Sequence, residues 1–156
     1  TMLTVVRAFA EELDHAHRDQ FGWSHPKDFT RADFVDAYGA ELLRMEVRGF
    51  VWAMQERETI LMKTRKDIGV FPFPLADPAN QAALEAAVSR VIKQNLSIQQ
   101  QVDRFLPTIS DLTAWHGADG TKRNYVDHYK NMAGRVWDCY QKRNAELIRG
   151  RYMCKP

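Results

Sequence analysis

The stretch from Glu11 to His25 holds three of the chain's five histidines, His15, His17 and His25, together with Glu11, Glu12, Asp14 and Asp19. Imidazoles and carboxylates bind first-row metals and move protons near neutral pH. Glu12 and His15 have the Glu-x-x-His spacing that sets two ligands on one helical face in di-iron carboxylate bundles. Such a site needs a second Glu-x-x-His, and the chain has none; His128 has Tyr125 three residues before it. Glu41 or Glu46 could be the lone glutamate of a second helix, but the last part of the chain offers only Asp127, Asp138 and Glu146. His15 and His17 stand about 200° apart on a helix and cannot share one ion without distortion. A mononuclear site from His15, His116 and His128 is the remaining candidate, since three histidines suit zinc or iron. The half motif reads better as a solvated polar face, so neither metal nor cofactor is expected.

Other chemistry is weaker. Cys139 falls on a predicted apolar stripe and reads as an inert buried thiol. Ser24 beside His25 is sequence adjacency, which carries no triad geometry. Gly117-Ala118-Asp119-Gly120 lacks the preceding strand that a phosphate-binding loop needs. No catalytic residues are assigned, and a non-enzymatic role is expected.

Charge suggests an alternative. Residues 1–60 carry seven basic and eleven acidic side chains, whereas residues 121–156 carry nine and three. Lys122, Arg123, Lys130, Arg135, Lys142, Arg143 and Arg149 could meet a nucleic-acid backbone. Trp137, Tyr140 and Tyr152 could stack on bases. Yet these basic residues are spread round the helix, and no short recognition helix stands out. Attraction between the acidic and basic segments inside one fold accounts for the same asymmetry.

The supporting elements are read as helices. The chain has 156 residues, 45% apolar and 27% charged, which fits one globular domain, 1–156, with its own core. Its longest apolar run, Phe50-Val51-Trp52-Ala53-Met54, is far short of the roughly 20 residues that span a bilayer, so no membrane association is expected. The N-terminus lacks a secretory pattern. Met2 is the expected native start, with Thr1 a cloning remnant. Two cysteines, Cys139 and Cys154, do not make a disulfide scaffold, so a reducing, cytoplasmic setting is expected.

Val5, Ala8, Phe9, Leu13 and Ala16 predict a first helix to about Gln20. Thr30-Arg31-Ala32-Asp33 resembles a capping box and opens a second helix to about Met62. Its apolar positions are Phe34, Tyr38, Leu42, Met45, Gly49 and Trp52. Gly39 and Gly49 weaken it, and a close helix–helix approach is the usual compensation. Pro72 and Pro74 then enforce an extended strap, whose Val70, Phe71, Phe73 and Leu75 are the candidate partner-binding residues. Phe73 is expected to be structural and Phe71 more exposed.

After Asp77 and Pro78, a third helix carries a heptad: Leu84, Val88, Val91, Asn95, Ile98, Val102 and Phe105. Asn95 at an a position could specify a homodimer through this helix. Its e and g positions lack complementary charges, which favours packing within the chain. Pro107 is expected to end it. Ser110 to His116 reads as a short helix. A last helix runs from Thr121 to Tyr152 with Tyr125, Tyr129, Met132, Val136, Cys139 and Leu147 inward. No strand is expected. The fold class is therefore all-α: a bundle of about four main helices, with a Pro-rich extended strap between the second and third. The expected role is binding another protein, as an adaptor, an inhibitor or a structural component.

Overall fold

The computed structural model describes residues 29–67, 78–92, 94–110, 112–116, 122–142, 145–148 and 151–154. The first predicted helix and the strap lie outside these residues. Four helices form the bundle: α1 (Arg31–Thr64), α2 (Pro78–Ile92), α3 (Ile98–Ser110) and α4 (Tyr125–Gln141). Two antiparallel ribbons accompany them. One pairs β1 (Thr113–His116) with β2 (Lys122–Asn124), and the other pairs β3 (Ala145–Ile148) with β4 (Arg151–Cys154).

α1 starts where its capping residues predict. Thr30 is extended, its Oγ1 accepts from the Asp33 N–H at 3.2 Å, and its hydroxyl donates to the Asp33 carboxylate at 2.6 Å. The helix stops at Arg65, which takes the left-handed conformation (φ 55°) and donates its N–H to the Leu61 carbonyl at 2.8 Å. α1 touches each of the other three helices and is the spine of the fold.

The predicted third helix is two helices. The heptad continues across the break, so periodicity alone does not reveal it. The break is written in Ser97-Ile98-Gln99-Gln100. Ser97 Oγ accepts from the Gln100 N–H at 3.3 Å, and Gln100 Oε1 accepts from the Ser97 N–H at 3.0 Å. This reciprocal capping box starts a new helix at Ile98. Asn95, the expected dimer-specifying position, is exposed in the connection. Leu84, Val88, Val102 and Phe105 are at most 1% exposed and fill the chain's own core.

Pro107 lies inside α3 and does not end it. A helical proline removes one hydrogen bond and costs about 3 kcal/mol. Here it sits on the exposed side, and continuing the helix buries Ile109 completely.

The last two expected helices also change. The region read as a short helix from Ser110 to His116 contains strand β1, and α4 begins only at Tyr125, where Asn124 Oδ1 accepts from the Asp127 N–H at 2.7 Å. α4 ends at Gln141, well before Tyr152. Residues 145–154 favour a ribbon because branched and aromatic residues flank Arg149-Gly150, a poor helix segment.

The core has two parts. Leu43, Val47, Phe50, Val51 and Met54 of α1 pack with α2, α3 and Tyr125, and the Phe50 and Phe105 rings stack at 5.7 Å. A second, aromatic cluster joins Phe34 and Tyr38 to Ala133 and Trp137 of α4. The predicted α1 face holds at Phe34, Tyr38, Leu42 and Gly49, whereas Met45 and Trp52 are half-buried and Leu43, Val47, Phe50, Val51 and Met54 turn inward, because the second half of the helix turns a different side to different neighbours. Gly39 confirms the close approach: a Cβ there would lie 3.0 Å from the Lys130 Cα.

Candidate functional site

Val70, Phe71, Phe73 and Leu75 lie outside the described residues, but the point from which they leave is well defined. Arg57 of α1 donates from Nε to Asp67 Oδ1 at 2.8 Å and from its terminal nitrogen to Oδ2 at 2.7 Å. This is the bidentate fork that arginine makes with a carboxylate, and it fixes direction as well as distance. The hydrogen bonds to Asp67 raise the Arg57 pKa above its ordinary value against the effect of burial, with further attraction from Asp67, Glu58 and Glu85. Glu85 belongs to α2, the helix that follows the strap. One guanidinium therefore faces acidic groups on both sides of residues 68–77.

Within the last turn of α1, five residues in sequence from both Arg57 and Asp67, Met62 is 75% exposed, the one large apolar side chain so exposed among the described residues. Ile60 and Leu61 are half-buried next to it. No residue of α1 after Met54 is fully buried; residues 55–61 are half-buried and 62–64 exposed.

The basic candidates do not form one free surface. Lys130 Nζ is 2.7 Å from Asp36 of α1. Arg31 answers it in reverse, 3.3 Å from Asp138 of α4. These two pairs, of opposite charge sense, set α1 and α4 antiparallel. Arg135 and Lys142 are exposed, seven residues apart and so on one face, with Lys130 about 140° away. Lys122 and Arg123 are in β2, opposite His116 and Trp115 of β1. Arg143 and Arg149 lie outside the described residues. Trp137, expected as a stacking platform, is 9% exposed and belongs to the aromatic core, while Tyr140 packs on it at 6.4 Å. The reason is Gly134 beside Ala133: small residues draw this face of α4 against α1, so that Ala133, Gly134 and Trp137 are buried while Val136 packs at the edge of the cluster and Met132 and Cys139 are half-buried.

Of the metal candidates, His128 is on α4, and its ring meets that of Tyr129 edge-on at 5.0 Å. His116 is in strand β1 and not on a helix, and His15 lies outside the described residues. No group of three metal-ligating side chains comes together among the described residues.

Cys139 corrects its reading most sharply. It is half-buried and disulfide-bonded, not an inert core thiol. Sequence reasoning also missed Arg57, whose fork pairs residues ten apart across a helix end, and Gln101. Gln101 is 2% exposed, donates to the Leu96 carbonyl at 2.8 Å and accepts from Gln55 at 3.0 Å. It ties the α2–α3 break to α1. Its place on the α3 stripe beside Val102 was the only signal.

No family model matches the chain, and neither a curated protein nor a solved structure matches it. No helix among the described residues is long and apolar enough to cross a membrane.

Proposed function

We propose that this chain is a non-enzymatic protein-binding module, an adaptor, inhibitor or structural component, that engages its partner protein through the end of α1 and the strap that follows. One observation carries the reading: Met62 is exposed in the last turn of α1, close in sequence to the Arg57–Asp67 fork that precedes the strap. An exposed apolar side chain followed in sequence by an apolar, proline-rich segment suits a contact surface. Holding its exit in one direction lowers the entropy lost on binding. Val70, Phe71, Phe73 and Leu75 are the proposed contact residues.

The test is a photo-crosslinking residue placed at Met62, with one at exposed Arg104 as control, in cells that produce the native chain. A discrete protein adduct from position 62 is expected, absent from position 104 and lost on Phe71→Ala. An adduct pattern shared by both positions would sink the proposal. An adduct of doubled chain mass would make the partner a second copy.

Nucleic-acid binding is the alternative. The Lys130–Asp36 pair and the burial of Trp137 count against it. If it holds, Arg135→Glu with Lys142→Glu abolishes a mobility shift whose affinity falls steeply with salt. No shift at low salt with either DNA or RNA removes it.

A further inference from the structure

Cys139 sits in the last turn of α4 and is disulfide-bonded. The chain holds two cysteines, and the other is Cys154, in β4. β4 packs along α4, and its register with β3 places Cys154 opposite Ala145 and Tyr152 opposite Leu147. In an antiparallel ribbon opposed residues share a face, so these four positions belong to one side of it.

We propose that Cys139 and Cys154 form an intrachain disulfide that clamps the C-terminal ribbon onto α4, and that the chain works in an oxidising compartment. The clamp answers a physical need. A lone two-stranded ribbon is marginal in water, and β3 and β4 have four residues each. Joining β4 to α4 removes freedom from the unfolded chain and holds the ribbon against the helix.

The bond forms by thiol–disulfide exchange. The thiolate of one cysteine attacks a donor disulfide, giving a mixed disulfide and releasing one donor thiolate. The second cysteine's thiolate then displaces the other donor sulfur. Two protein thiols become one disulfide, and one donor disulfide becomes two thiols, so two electrons pass to the donor. Structural disulfides persist in oxidising compartments and are rare in the cytosol. On this proposal an oxidising setting stands in place of the cytoplasmic one expected from the cysteine count. This inference does not depend on the partner-binding reading.

The experiment uses the full chain, secreted into an oxidising compartment, denatured and treated with N-ethylmaleimide. No adduct is expected before reduction and two after it. Trypsin without reductant should release peptides 136–142 and 152–156 as one linked species. Two adducts before reduction, or a covalent dimer on a non-reducing gel, would overturn the intrachain bond. The clamp has its own readout. Reduction, or Cys154→Ser, should lower Tm by roughly 6–12 °C, from the loop-entropy value for about 15 residues and the Tm sensitivity of a chain this size. It should also open β3 and β4 amides to hydrogen exchange while mid-α1 stays protected. Equal Tm and equal exchange in the oxidised and reduced proteins would make the bond incidental, and the oxidising-compartment assignment would fall with it.

Discussion

Gly39 and Gly134 sit on facing helices and both are buried, yet they should respond oppositely to the same substitution. At Gly39 a new Cβ meets the Lys130 Cα at 3.0 Å, and backbone cannot step aside. Overpacking of this kind costs about 1–3 kcal/mol, against the roughly 1 kcal/mol that Ala gains over Gly in a helix. Gly39→Ala is therefore expected to destabilise by up to about 2 kcal/mol. At Gly134 the nearest atom, at 3.2 Å, is the tip of the Arg31 guanidinium, which can swing away. What is lost is an exposed ion pair with Asp138, worth about 0–1 kcal/mol. Gly134→Ala should be neutral or stabilising by up to about 1 kcal/mol in denaturant unfolding. Tyr125 adds a pH dependence. Burial, and then Glu46, raise its hydroxyl pKa above the ordinary value. The unfolded chain releases this proton near pH 10, roughly the free tyrosine value, and the folded chain holds it longer. Stability from this group is fully present below that pH and is lost as pH rises through the folded pKa. Denaturation midpoints between pH 8 and 11 should fall more steeply for the native chain than for Tyr125→Phe; parallel curves would remove Tyr125 as the cause.

The elements show where sequence reading succeeds and where it stops. Ser97→Ala removes one half of a reciprocal cap and should cost about 1 kcal/mol, read as a shift in the urea midpoint with no change in slope. Adding Gln100→Ala should cost little more, because each half of the box supports the other. The cap at Thr30 was legible because it opens an apolar stripe after a polar stretch. The cap at Ser97 was hidden by a heptad whose apolar positions carry on through it. Leu84, Val88, Val102 and Phe105 were rightly identified as one apolar set. Their continuity was wrongly inferred, because residues of two short helices can line the same core. The ribbons were missed for another reason. Strands of three or four residues are too short for alternation to emerge, and what holds β4 is its packing on α4, which no local pattern encodes. Phe71 and Phe73 are proposed contact residues by composition alone. Arg57 and Met62 were not legible in the sequence, since a forked ion pair and an exposed helix end become visible only once the neighbouring helices are in place.

At the scale of the molecule, two ion pairs of opposite sense join α1 to α4. Acidic Asp36 on α1 meets basic Lys130 on α4, and Arg31 and Asp138 repeat the match in reverse. The pairs are exposed and contribute little energy, but they select the antiparallel arrangement over a parallel one. Their exchange, Asp36→Lys with Lys130→Asp, should leave fold and Tm nearly unchanged, whereas Asp36→Lys alone should lower Tm by a few degrees. The two clusters of the core have a consequence of a different kind. They share no side chain, yet α1 is a wall of both. Neither can melt without unwinding part of a helix that the other needs. Amide exchange along α1 thus measures how far the molecule breathes as one body. Matching protection near Tyr38 and Phe50 would mean a single cooperative unit. A drop toward Tyr38 would mark the aromatic end as a separate foldon that opens first. In that case Trp137 fluorescence should change ahead of the loss of helical signal.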